Sequence, residues 1–118
     1  MIRVLISIAP RSYRESLALT LHWYRSNAEV KAVSPGLLVR EAEIFQPHMV
    51  VCNDESYPEL AGIVHSKVEI LFVDDLHANI SLDGREETIR DVGVDDLLKV
   101  LDDTQRSVTG GGASLPQG

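Results

Sequence analysis

The chain predicts an α/β fold: a three-layer sandwich with a mostly parallel sheet that ends in a C-terminal antiparallel β-hairpin. Three observations predict it. Over the first 73 residues, short apolar runs alternate with amphipathic stretches, the pattern of a parallel sheet with helices on both faces. After the fourth apolar run the spacer is too short for a parallel crossover. The composition is that of an ordinary globular domain, with 44% hydrophobic and 25% charged residues in 118, enough to build a core without disulfides or metals.

Each element follows from its residues. Segment 3–9, from Arg3 to Ala9, is an apolar run ended by Pro10 and reads as a strand buried on both faces. Ser12, with Glu15 three residues on, has the spacing of a capping box. It opens a helix over 13–26 whose inward face is Leu17, Leu21 and Tyr24. Segment 29–34 alternates as a more exposed strand. Ser34-Pro35-Gly36 starts a second helix, since proline suits a first turn, and Pro47 ends it. Met49 to Cys52 is a third strand, 58–64 a weak helix and 68–73 a fourth strand. Asn79 to Leu82 and Glu87 to Arg90, joined across Asp83-Gly84, form the hairpin. A short helix over 95–101 carries acidic residues in its first turn, matching the helix dipole. Residues 1–103 are expected to form one domain. Residues 104–118, with their Gly110-Gly111-Gly112 run, are expected to be a flexible tail.

Charge and cysteine count narrow the function. Eighteen acidic against eleven basic side chains leave a formal charge of −7, which disfavours nucleic acid and anionic membranes as partners. One cysteine, Cys52, rules out an internal disulfide and a cysteine-cluster zinc site; it is expected to be an inert core thiol. No apolar run approaches the ~20 residues of a membrane span. The opening residues Met1-Ile2-Arg3-Val4 lack a signal-peptide layout, so a cytoplasmic location is expected. His22, His48, His65 and His77 show no helical metal spacing, and neither a metal nor any other cofactor is expected.

Two segments resemble response-regulator receiver domains. Val4-Leu5-Ile6 followed by Arg14-Glu15-Ser16-Leu17 is similar to the opening strand and helix of that family. Gln46-Pro47-His48-Met49-Val50-Val51-Cys52-Asn53 is similar to its third strand. The resemblance covers residues 1–73 and implies a flavodoxin-like, receiver-like fold. It also implies where phosphotransfer residues would stand. Ile8 and Ala9 occupy the places of the acidic pair, and neither offers magnesium an oxygen ligand. Asn53 occupies the place of the phosphoacceptor aspartate and has no nucleophilic carboxylate. Asp74 falls where the switch hydroxyl would be. The chain therefore resembles a pseudo-receiver with a degenerate phosphorylation site. The expected function is a signalling module that is no enzyme and acts by protein–protein contact without aspartyl phosphorylation.

Candidate sites follow from the expected strand order 2-1-3-4. Ligands in open α/β sheets sit beyond the carboxyl ends of the strands, where the order reverses. That point gathers Arg11, Ser12, Asn53 and Asp54, beside a helix N-terminus that favours anions. The alternative function is thus a sensor of a phosphate- or carboxylate-bearing small molecule. The plainer reading makes Ser12 a cap and Arg11 a solvated side chain. Leu19 and Trp23, four residues apart, lie opposite the Leu17–Leu21 face and suit an interface with a protein partner or a second copy. The plainer reading has Trp23 covering a core edge.

Overall fold

Side chains along each central strand alternate between two apolar clusters, and that alternation builds the layers. The structure is a computed structural model that describes residues 2–53, 64–72, 76–82 and 85–113. Its elements are β1 (Arg3–Ser7), α1 (Arg11–Tyr24), β2 (Glu29–Ala32), a 3-10 turn at Pro35–Leu37, α2 (Leu38–Phe45), β3 (Met49–Cys52), β4 (Ser66–Phe72), β5 (Leu76–Leu82), β6 (Arg85–Arg90) and α3 (Val94–Ala113). Val4 and Ile6 of β1, Met49 and Val51 of β3, and Val68 and Ile70 of β4 join a cluster with Leu17 and Leu21 of α1 and Leu97 and Leu101 of α3. Leu5, Val50 and Cys52 point the other way, onto Leu38 and Ala42 of α2. The sheet is the middle of three layers, with α1 and α3 on one face and α2 on the other.

The strand order is β2-β1-β3-β4-β5-β6. Pairing is parallel from β2 through β4 and antiparallel from β4 to β6. This is the expected flavodoxin-like α/β sandwich with its C-terminal antiparallel hairpin. The hairpin ladder closes at the pair Leu82 and Arg85; the expected turn at 83–84 and the weak helix at 58–64 lie outside the described residues, but for Val64 at the end of the latter. The outer strand β6 carries Arg85, Glu86, Glu87 and Arg90, a charged edge that resists strand addition by another chain.

Three local expectations are corrected. The capping box does not form: Pro10 is the residue before the first helical turn, no side chain caps it, and its carbonyl accepts the Arg14 N–H at 3.1 Å. Ser12 therefore lies inside the first turn, and Glu15 bonds Arg11 instead. The inward face of α1 is Arg14, Leu17 and Leu21, while Tyr24 is 58% exposed. A period of 3.6 fits both triplets. Arg14 is drawn inward because its apolar stem covers core surface and its Nη1 donates to the Ile8 carbonyl at 3.0 Å.

The third correction concerns the boundary at residue 103. Helix α3 continues to Ala113, so the expected tail at 104–118 begins inside a helix. Asp96 Oδ2 accepts the Gly93 N–H at 2.8 Å and fixes where the helix starts. Beyond Leu101, Asp102 takes both Nε and Nη2 of Arg25 at 2.8 Å, a fork that ties α3 to the end of α1. Thr104 is fully buried and bonds Ser66 at the start of β4.

Candidate functional site

The carboxyl edge of the parallel strands is closed by its own hydrogen bonds. Asn53 follows β3 directly. Its Oδ1 accepts the Ala9 N–H, and its Nδ2 donates to the Ile70 carbonyl at 3.4 Å. The amide thereby ties the end of β1 to β4 across β3, using both its acceptor and its donor. Ile8 is buried in the α1–α3 cluster. Ile8, Ala9 and Asn53 are thus brought together as expected, with no oxygen ligand from the first two. Asp54 and Asp74 lie outside the described residues.

Beside this edge a cleft of about 370 Å³ runs between the start of α1 and the end of β2. Its outward cations are already paired. Arg11 Nε meets Glu15 Oε2 at 2.7 Å, and Lys31 Nζ meets Glu41 Oε1 at 2.7 Å. The hydrogen bond from Arg11 holds the Glu15 carboxyl below its ordinary range. Arg14 is spent on Ile8, and Ser12 is exposed and caps nothing. Of the ligand set expected from sequence, only Arg11 lines this cleft, and there it already holds the Glu15 carboxylate.

On the α2 face, Ser7, Cys52 and Glu69 stand in one transverse row. Ser7 Oγ and Glu69 Oε2 are buried without a hydrogen-bond partner. Cys52 between them is fully buried, which matches the core thiol expected.

The opposite edge was not foreseen as a site. His48 precedes β3 and His65 precedes β4, and their rings lie 6.0 Å apart. The signal was present in the sequence: residues placed just before two adjacent parallel strands must be neighbours. His48 Nδ1 accepts the Arg3 N–H at 2.9 Å. Burial, and then the charges of Arg3, His65 and the amino terminus, hold the His48 imidazole below its ordinary range. The folded state therefore favours the neutral ring. Its stabilisation is complete above the unfolded value of about 6.5 and is lost as pH falls through the lowered folded value. Urea midpoints between pH 7.5 and 5 are expected to fall more steeply for wild type than for His48→Gln, which keeps an acceptor for Arg3 and removes the titration. Parallel slopes would refute this.

On the outer face of α1, Leu19 and Trp23 are 71% and 82% exposed. Trp23 covers no core edge. Among the described residues, no group of three or more His, Cys, Asp or Glu is placed to hold a metal, and no helix is long and apolar enough to cross a membrane.

No protein-family model matches the chain, and no curated protein sequence matches it. Its fold is similar to that of HypX from Aquifex aeolicus, with a TM-score of 0.53 and 12% identity over 96% of this chain and 28% of that one. It is also similar to methionyl-tRNA formyltransferase from Clostridium thermocellum, with a TM-score of 0.45 and 8% identity over 94% of this chain and 66% of that one. The chain thus spans little more than a quarter of the first and just under two thirds of the second. At such identities the likeness shows the fold alone.

These neighbours correct one expectation. The missing receiver chemistry had pointed to a chain that is no enzyme. HypX, whose fold this chain shares at a TM-score of 0.53, is not named as a response regulator. Lacking the residues of one family's reaction does not make a chain on this fold a non-enzyme.

Proposed function

We propose that this chain is a cytoplasmic regulatory module of receiver-like shape that works through protein contact at the outer face of α1, with a second copy of itself as the partner. The observation that carries this is the pair Leu19 and Trp23, one turn apart and both exposed, on a helix whose core-facing side is already filled by Leu17 and Leu21. From Ser16 to Trp23 the helix carries no Asp, Glu, Lys or Arg. Two copies of a chain of charge −7 repel one another over most of their surface. An uncharged apolar strip is where a two-fold, self-complementary contact meets least repulsion. Asn53, tied to Ala9 and Ile70, supports regulation without aspartyl phosphorylation.

Trp23 is the sole tryptophan, so its fluorescence reports this face directly. With rising concentration the emission is expected to shift to the blue while sedimentation velocity shows a dimer. Trp23→Ala is expected to stay folded and monomeric, because the side chain is 82% exposed. A wild-type protein that remains monomeric, with the emission of a fully exposed indole at every concentration, would overturn the proposal.

A further inference from the structure

We propose a second site, beyond the protein-contact face: the cleft at the amino edge of β1 and β3 binds a small oxyanion, carboxylate or phosphate, carried on an apolar body. The cleft measures about 500 Å³ and lies between α2 and the strand starts. Its apolar lining is Val39, Ala42 and Pro47, and Arg3, His48 and His65 supply its nitrogen donors.

Hydrogen bonding selects the charge of the ligand. His48 Nδ1 accepts the Arg3 N–H, so the proton of the neutral ring sits on Nε2. The ring has a donor left to offer and no free lone pair. A metal ion would need that lone pair, and charging the ring would place a second proton against the Arg3 amide. His48 is thus held as a neutral N–H donor, suited to an acceptor. Arg3 supplies the positive charge. Its Nε donates to the Gln46 carbonyl at 2.9 Å, which anchors the guanidinium in the cleft. Among the described residues no carboxylate lies within ion-pair distance of Arg3. His65 is exposed at the mouth and adds another nitrogen donor. Glu43 also borders the cleft, but its side chain is exposed and its field is screened by solvent.

The two edges of the sheet differ in this respect. At the carboxyl edge, where open α/β sheets usually bind ligands, Arg11 and Lys31 each hold a carboxylate of their own. At the amino edge, Arg3 and His48 line a cavity together with the apolar Val39, Ala42 and Pro47. Fixed donors beside apolar surface are how small-molecule sites combine orientation with affinity.

The test is an amide NMR titration of the full chain with benzoate, phenyl phosphate, inorganic phosphate and benzyl alcohol. Benzoate or phenyl phosphate is expected to shift Arg3, His48 and His65 saturably, and whichever binds more tightly names the oxyanion. Inorganic phosphate is expected to bind more weakly for want of the apolar body, and benzyl alcohol to cause no saturable shift. Arg3→Gln is expected to weaken binding at least ~10-fold, the worth of one charge-assisted hydrogen bond. Should that variant lose its fold, His65→Ala, which removes the donor at an exposed position, is expected to weaken binding measurably. The proposal is overturned if neither aromatic anion gives a saturable shift, if benzyl alcohol binds as well as benzoate, or if folded variants bind unchanged.

Discussion

A chain cut after Asp103 is expected to be less stable than one cut after Ala113 by about 2–4 kcal/mol, read as a lower urea midpoint. The cut falls one residue before Thr104, where composition alone would place a domain boundary. Thr104 Oγ1 donates to the Val100 carbonyl at 2.7 Å, so its remaining bond to Ser66 Oγ, at 2.6 Å, is one it accepts. Ser66 is the donor and is itself buried. Removing Thr104 leaves the Ser66 hydroxyl without an acceptor in the core, a cost of about 1–3 kcal/mol. The rest comes from losing the last turns of α3 and whatever they cover.

Point variants separate these contributions. Thr104→Val is expected to cost about 1–3 kcal/mol, because it keeps the shape and strands Ser66. Ser66→Ala is expected to cost less, since Thr104 retains Val100. The double variant is expected to recover part of the Thr104→Val loss, because no orphaned hydroxyl remains. Equal stability of the 103- and 113-residue chains would show that α3 beyond Asp103 contributes nothing to the fold.

The same helix marks where sequence reasoning stops. Sheet order and the hairpin were legible because they rest on strong constraints: apolar runs demand burial on both faces, and a five-residue spacer cannot complete a parallel crossover. The second half of α3 was illegible because residues such as Thr109 and Gly110 are weak helix formers. What holds the helix to the fold is tertiary. Arg25 reaches it from 77 residues earlier and Ser66 from 38, and no local pattern reports either.

The site divides in the same way. That Asn53 would stand beside Ala9 followed from strand order alone. That its amide would bond backbone partners on both sides did not, because those bonds depend on how β1, β3 and β4 end relative to one another. Helical periodicity put Leu19 and Trp23 opposite Leu17 and Leu21 but left open whether Trp23 covers a core edge; its exposure of 82% decides that. The Arg3–His48 bond required knowing that His48 turns inward at the start of β3.

Asn53→Asp is expected to damage the protein without creating a phosphoacceptor. A carboxylate at this position still accepts the Ala9 N–H but has nothing to donate to the Ile70 carbonyl, and two oxygens then face one another. The expected loss is about 1–3 kcal/mol at neutral pH. It should fade in acid, because a protonated carboxyl regains a donor; the raised folded pKa this implies means the deficit grows as pH rises through that value. Acetyl phosphate with Mg²⁺ is expected to leave the variant unmodified by intact-mass spectrometry. Ile8 and Ala9 present only apolar side chains where a metal would need oxygen, so a carboxylate at 53 lacks the cation that draws the phosphoryl group in. A stable acyl phosphate on the variant would mean that other carboxylates complete the site, and that one substitution separates this chain from working phosphotransfer.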